Sequence, residues 1–504
     1  MILLSILLIP LIAIVLTNFV DKKSLYVKIF PLLGSLGCLL LILYYSYHNN
    51  LLSLVTFIEY IHLYDIFPKL GISMSFSISK ISIILLILAN ITITTALFST
   101  FNINKRLNEI NTLILAISIG IYGLIIADDL FVFFLFYEIA VVPMFLMITN
   151  WGYDLKREIS GPFKKILSSL SVGTKSYGAY KITLYLLVGS LLIFLGLGIV
   201  GINEGTFSIT EILKNKDFNI GTGSDLKIAF FLLVLGFGSH SALWPLHTWA
   251  PDGHGTAPTA GSIIFAGILM KIGVIGFIKI LITIFSVTFV EFSNILIFLA
   301  SINIIYGAFT AMMQDDLKYL AAYASLSHIG YIFLALAMNN ELGLSSAILQ
   351  TVSHGLIICL LFFSVGLIFN LKKTRSIKEL NSLSDNSPWI SKIFIFAAFA
   401  SIGFPLTSGF VAEFLIISSI AESGKPLLIV IPLIGIFITT LYMFRTVKKI
   451  CLKYVEGNKE SSSISFDEKL ICSFLIIIII IVGIAPNFFL NFINGESIKI
   501  FLGI

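Results

Sequence analysis

Long apolar stretches alternate with short polar ones along the whole chain. The apolar runs fall near residues 2–19, 29–48, 80–99, 112–128, 129–149, 182–201, 227–248, 258–284, 293–313, 319–338, 343–370, 391–422, 426–446 and 469–491. A hydrocarbon core about 30 Å thick takes roughly 20 apolar residues per helix, so each run corresponds to about one crossing. Open strands cannot satisfy their backbone groups in lipid, and all the runs therefore predict helices. The fourth and fifth are divided only by Asp128 and Asp129. Such a pair is costly in mid-bilayer and predicts a tight turn at the interface. The expected fold is an all-α polytopic membrane protein of about fourteen transmembrane helices, forming one membrane domain.

Two runs are interrupted: the seventh at HSALWPLHTW (240–249) and the twelfth, five helices later, at SIGFPLTSGFVAEF (401–414), each with a Pro-Leu inside. Proline removes a backbone hydrogen bond and opens a helix. Paired broken helices in corresponding halves point to a transporter built from inverted repeats, with its ion path near the midplane. The expected units are two inverted five-helix repeats, helices 4–8 (112–284) and helices 9–13 (285–450). Helices 1–3 (1–111) precede them, and a loop with helix 14 (451–504) follows.

Composition narrows the class. The chain is 58% hydrophobic and 12% charged, against about 25% charged residues in soluble domains, which excludes a soluble enzyme and a disordered chain. The net charge is +5, but its 32 basic residues form short clusters rather than a stripe, so topology explains them better than nucleic acid does. One set of alternate loops holds Lys22, Lys23, Lys105, Arg106, the Lys156–Lys181 loop, Lys318, Lys372–Lys378 and Arg445–Lys469. The opposite set holds only Lys69, Lys214, Lys216, Lys227, Lys425 and Lys499. The first set is expected to be cytoplasmic, with both termini on the outer side and the first helix a retained signal anchor. The loop 150–181 is basic and amphipathic, and predicts an interfacial helix held on anionic lipid through Lys156, Arg157, Lys164 and Lys165. Cys38, Cys359, Cys451 and Cys472 form no CxxC pair, and neither GxGxxG nor GxxxxGK[ST] occurs. No iron–sulfur, zinc, dinucleotide or ATP site can be read from this chain.

Ionisable residues within the runs carry the candidate chemistry, because an intramembrane charge is costly and marks a functional site by default. Glu138 lies mid-run in FVFFLFYEIAVVPMFLMI, one turn before Pro143. Lys271, in SIIFAGILMKIGVIGF, is too deep to reach water easily and suits a proton relay better than an anchor. Lys279, nearer the edge, is expected to snorkel. His240 at the first break, His328 in SLSHIGYIF and His354 in TVSHGLIICLL extend the set, and Glu413, two turns past the second break, ends it. His247, Asp252 and His254 flank a Pro-Asp-Gly turn, and are expected to fix a loop by hydrogen bonding rather than to bind metal.

PLHTWAPDGHGTAPTAGSIIFAGILMKIGVIG (245–276) closely resembles the signature of subunit M of proton-pumping NADH:quinone oxidoreductase, respiratory complex I. FLFYEIAVVPMFLMI, QDDLKYLAAYASLSHIGY and GFPLTSGFVAEF resemble the family's other signatures, over about residues 112–450. The resemblance implies a proton-translocating, antiporter-like subunit. Glu138 would be the helix 5 glutamate of a charge pair, Lys271 the central lysine, His328 and His354 the connecting axis, and Glu413 the terminal glutamate. It also implies no cofactor on this chain, with NADH, flavin, iron–sulfur clusters and quinone in partner subunits, and the sister subunits L and N as neighbours in a cell membrane. A multisubunit sodium/proton antiporter or a membrane-bound hydrogenase uses the same scaffold and is the alternative. One residue departs from the pattern: His240 stands where the family has the helix 7 lysine that partners the glutamate. The expected mechanism passes a redox-driven change of charge through Glu138/His240 to Lys271, and a proton onward through His328 and His354 to Glu413.

Overall fold

The computed structural model describes residues 2–48, 59–103, 105–154, 171–214, 223–452 and 464–493. The apolar runs are helical. They form α1 (Ile2–Phe19), α2 (Tyr26–His48), α3 (Lys80–Ser99), α4 (Leu107–Ile126), α5 (Leu130–Trp151), α6 (Lys175–Glu204), α7 (Ser224–His240) and α8 (Thr259–Ile282). They continue as α9 (Ser286–Met312), α10 (Leu317–Leu336), α11 (Glu341–Lys372), a broken α12 (Pro388–Ser401 and Ser408–Glu422), α13 (Val430–Val447) and α14 (Phe466–Ile484). Ten of the described helices are long and apolar enough to cross a membrane. The others are α1, α7, α12 and α14, which are shorter, broken or more charged. The basic residues expected to hold the 150–181 loop on lipid, Lys156, Arg157, Lys164 and Lys165, lie outside the described residues.

The helices are not equally placed. α3, α8, α10 and α11 are buried on nearly all sides, whereas α2, α6, α9 and α13 turn apolar faces outward. Leu, Ile and Phe on those outer faces are what a lipid or protein neighbour would cover. The buried α8 is irregular. Wide π turns at Phe265–Leu269 and Phe277–Ile282 bracket the segment Met270–Gly276, which carries Lys271. Wide turns of this kind leave carbonyls free of their usual intrahelical donors.

An element not expected from the apolar runs is a hairpin, β1 (Glu59–Phe67) paired antiparallel with β2 (Ile72–Ile78). It packs on the α4–α5 turn, where the Asp128 N–H donates to Ser75 O (3.0 Å) and the Ser73 N–H to Asp129 Oδ2 (2.9 Å). Asp128 and Asp129 are thus in a turn, as their sequence predicts, but one that is covered and fully bonded.

Among the described residues the α9–α10 turn has no hairpin on it, but it repeats the cap and backbone contacts of the α4–α5 turn. Asp129 caps α5 through the N–H groups of Phe131 and Val132, and Asp316 caps α10 through those of Lys318 and Tyr319. Beside the first turn runs TFSITE (206–211) and beside the second TRSIKE (374–379). The Leu130 N–H bonds Phe207 O (2.9 Å) and the Ile209 N–H bonds Asp128 O (2.7 Å). The Leu317 N–H bonds Arg375 O (3.0 Å) and the Ile377 N–H bonds Asp315 O (2.7 Å). Within each hexapeptide the threonine hydroxyl donates to the glutamate, Thr206 to Glu211 (2.6 Å) and Thr374 to Glu379 (2.5 Å). A cation closes each turn: Lys279 Nζ donates to the carbonyls of Ile125 (3.0 Å) and Ala127, and Arg445 Nη1 to that of Met312 (3.2 Å). Lys279 therefore does not snorkel to bulk water. The last carbonyls of α4 are closer and need a donor.

The helix breaks are also alike. α7 ends with the Leu243 N–H on Gly238 O, and the first half of α12 with the Phe404 N–H on Phe399 O. Ala242 at the first break, and Gly403 and Leu406 at the second, take positive φ. The backbone groups freed at the first break are met from α9: the Trp244 N–H donates to Asn303 Oδ1 (2.7 Å), and Asn303 Nδ2 donates to Ala242 O (3.3 Å).

Candidate functional site

Four of the six residues singled out from the sequence form one line through the centre. Lys271, on the regular turn between the two π segments of α8, donates to the carbonyl of Ala266, which the first π segment presents. Its Nζ also shares a hydrogen bond with His354 Nδ1 on α11 (2.7 Å). The rings of His354 and His328, the latter on α10, stand with centroids 5.5 Å apart. His328 Nδ1 lies 3.5 Å from Glu413 Oε1, on the second half of α12. All four side chains are buried.

The line is under-bonded. His354 Nε2 and both ring nitrogens of His328 are buried without a hydrogen-bond partner. Gln350 Oε1 on α11 is likewise unpartnered. A narrow cavity of about 10 Å³, room for about one water, is lined by these groups with Ser353, Ser401 and Glu413. Buried polar groups are normally bonded, so a row of imidazole nitrogens and an amide oxygen around one cavity is where ordered water belongs. Gln350 was not singled out, although a lone amide in the apolar run LGLSSAILQTVSHG was a usable signal.

The second helix break makes room for the terminal carboxyl. Gly403 takes φ +75°, a left-handed conformation that favours glycine, and a Cβ there would stand 2.5 Å from Glu413 Oε2. The proline opens the helix, the glycine turns it, and the carboxyl sits against the bend.

The other two expected residues are arranged differently. Glu138 and His240 were expected to form a charge pair. Among the described residues no ion pair joins them, and His240 Nδ1 bonds instead to the hydroxyl of Tyr137 (2.9 Å), with ring centroids 4.9 Å apart. The physical reason is helix geometry: adjacent residues point about 100° apart, so only one of Tyr137 and Glu138 can face α7. Tyr137 and His240 are fully buried, whereas Glu138 is half-buried on the flank of α5 with Oε1 unpartnered. The break bearing His240 still touches α8, through Ser241 Oγ on Met270 O (3.0 Å), one residue before Lys271.

A polar cluster covers the end of α8 near its start. Asp252 binds Lys181 Nζ (2.7 Å) and the Tyr319 hydroxyl (3.0 Å). Lys318 Nζ donates to Ala257 O (2.6 Å). Arg375 pairs with Asp316 (3.0 Å) and donates to Gly255 O (2.9 Å). Pro251, Asp252 and Gly253, expected in a turn, lie instead within a short helix, Trp249–Thr256, and these bonds tie that helix and the Ala257 that follows it to α6, α10 and the TRSIKE segment, the fixing role expected of Asp252. His254 does something else. It is fully buried, stacks on Phe362 (5.1 Å, 16°), and has both ring nitrogens unpartnered. Its place is between the Lys318 cluster and the His354 end of the line.

Residues 166–439 match the family described as NADH:quinone oxidoreductase/Mrp antiporter, transmembrane. NADH-quinone oxidoreductase subunit M of Rickettsia prowazekii (strain Madrid E) is 30% identical over 475 residues, 94% of this chain and 91% of that protein. NAD(P)H-quinone oxidoreductase chain 4 1 of Synechococcus elongatus is 32% identical over 390 residues, 76% of this chain and 69% of that protein. A chain in the structure of respiratory complex I from Thermus thermophilus with bound NADH superposes with a TM-score of 0.84 at 22% identity, covering all of both chains. One in the Mrp complex from Dietzia sp. gives 0.80 at 17% identity, over 99% of this chain and 97% of that one; both likenesses concern the fold. The chain belongs to the NADH:quinone oxidoreductase/Mrp antiporter family of membrane subunits.

Proposed function

We propose that this chain is the antiporter-like subunit M of an NADH:quinone oxidoreductase and carries protons along Lys271, His354, His328 and Glu413. The observation that carries the reading is the continuity of that line: a shared hydrogen bond of 2.7 Å, two imidazoles at 5.5 Å and a histidine–carboxyl approach of 3.5 Å. Each member can hold and release a proton, and an imidazole can take one on one nitrogen and give one from the other. The unpartnered nitrogens around the narrow cavity are the acceptors and donors such a transfer uses, with a water closing the gap between the rings.

His254 extends the line toward the Lys318–Asp252–Arg375 cluster, which serves as the loading end. Glu413 at the second break is the release end. Glu138, half-buried on the flank of α5, answers to charge on a neighbouring membrane subunit, and sister subunits L and N are the proposed neighbours. The driving redox chemistry belongs to partner subunits that hold the NADH, flavin, iron–sulfur and quinone sites, and this chain holds no redox centre. The fourteen-crossing topology follows the apolar runs, with both termini on the outer face of a cell membrane, and units at 112–284 and 285–450 are supported by the matching turn contacts. The subunit M relatives favour the quinone reductase over the sodium/proton antiporter of the same scaffold.

The test is proton uptake by vesicles holding the assembled complex. His354→Ala, which cuts the line between Lys271 and His328, is expected to slow redox-coupled uptake by at least about tenfold. Assembly should be unchanged. Uptake at the parent rate would overturn the path.

A further inference from the structure

α12 and α13 meet at the end of the molecule where α12 begins and α13 finishes. Between them lies an open groove of about 1010 Å³ lined by Ile395, Phe399, Phe444, Val447 and Leu452 together with Arg445, Lys448 and Lys449. On its apolar side Phe399 and Phe444 pack edge to face at 5.3 Å. Among the described residues the lining holds three cations and no carboxylate. Arg445 spends one donor on Met312 O, and a guanidinium has five. Two further cations gather nearby at the same end, where Lys392 and Lys469 both approach the ring of Trp389, at 6.0 and 5.5 Å. The carboxylate closest in sequence to Lys469 is already engaged: Glu468 caps α14 with Ser465 and accepts from Asn102.

An apolar trough in a membrane-spanning chain whose described lining carries only positive charge matches a molecule with an acyl chain and a negative headgroup. We propose that this groove is a binding site for an anionic phospholipid, whose phosphate is taken by Arg445, Lys448 and Lys449 and whose chain lies against Phe399 and Phe444. Basic pockets between transmembrane helices have this selectivity because a phosphate accepts the planar fork of an arginine and the charge of lysines together. A protein neighbour is the competing occupant. Charge argues for lipid: no partner acid is needed to neutralise the cluster if every headgroup brings its own.

The experiment uses the purified complex in nanodiscs doped with phosphatidylglycerol or phosphatidylcholine carrying a photoreactive group on the acyl chain. Labelled peptides are mapped by mass spectrometry. Phosphatidylglycerol is expected to label the peptides containing Phe399 and Phe444 at least about fivefold more than phosphatidylcholine. Arg445→Gln/Lys448→Gln/Lys449→Gln should erase that preference, and Lys69→Gln, at the opposite end, should leave it intact. If the triple variant fails to assemble, exposed Lys448→Gln alone should still lower the preference. Equal labelling by the two lipids would overturn the proposal, as an unselective lipid-facing surface. So would labelling by neither, since a protein subunit would then cover the groove.

Discussion

The two halves of the molecule have the same joints and different contents. Each has an Asp-Asp turn capped by the second aspartate, a threonine–glutamate hexapeptide beside it, a cation on the last carbonyls of the preceding helix, and a helix broken near a Pro-Leu. The ionisable residues do not follow. Nine residues past the second aspartate stand Glu138 in one half and Ser325 in the other. Five before the Pro-Leu stand His240 and Ala400, and eight before the closing cation stand Lys271 and Phe437. The second half has its own set in His328, His354 and Glu413. A repeat that preserves its backbone joints while exchanging its charges makes two scaffolds of one shape, and the proposed proton line crosses from one to the other at the Lys271–His354 bond.

The largest effect should come from cutting that crossing. Lys271→Met removes the central proton holder, and Lys271→Arg keeps the charge but will not release a proton at accessible pH. Both are expected to abolish redox-coupled proton uptake in vesicles. Full activity of the arginine variant would mean that position 271 needs only charge, and the halves would then be coupled electrostatically rather than by a shared proton.

Glu138→Gln should come next, removing most uptake in an assembled complex. The amide keeps the shape and loses the charge that a neighbouring subunit can sense. Ser325→Ala, its counterpart in the other half, should change uptake by less than about twofold, because the Ser325 hydroxyl only contacts Met270 Sδ at 3.9 Å. Similar losses in the two variants would mean that the halves are functionally alike at this position.

What could be read from the chain, and what could not, follows the same division. Lys271, Glu138 and Glu413 are legible because a charge inside an apolar run is costly and stands out. The broken helices are legible because Pro-Leu interrupts a helical pattern. Tyr137 is not, since a tyrosine in an aromatic-rich run looks like any packing residue until its hydroxyl is seen on His240. The π turns that free the Ala266 carbonyl for Lys271 leave no mark in composition, and the hairpin of residues 59–78 is short and hidden between longer runs. The TFSITE and TRSIKE echo is in the sequence, but six residues recurring once carry little weight before the hydrogen bonds show the two copies doing the same thing.

The closing cations offer a smaller and purely structural comparison. Lys279 is half-buried and donates to two carbonyls, whereas Arg445 is exposed and donates to one. Hydrogen bonds from a charged donor contribute about 1.5–3 kcal/mol when sheltered, and exposed ones less. Lys279→Met should therefore lower the thermal stability of the purified protein clearly, and Arg445→Met only slightly. Equal shifts would show that burial is not what separates the two joints.

A moderate effect is expected at His240, where the sequence departs from the pattern it otherwise resembles. Its bond to Tyr137 leaves two possibilities for the histidine: a proton holder in its own right, or a polar plug for the helix break. Tyr137→Phe deletes the hydroxyl and keeps the ring, so packing against Phe134 and His240 is preserved. If the couple holds a proton, Tyr137→Phe and His240→Ala should slow uptake to a similar extent, by a few-fold and well short of the Glu138→Gln loss. His240→Lys should extend activity on the alkaline side, because a lysine ordinarily keeps its proton to about pH 10 and an imidazole to about 6.5. The measurement is uptake against pH for the parent and the three variants in the same vesicles. Profiles that coincide across the range would make His240 a plug, and Lys271 would then have to be loaded from the His254 side alone.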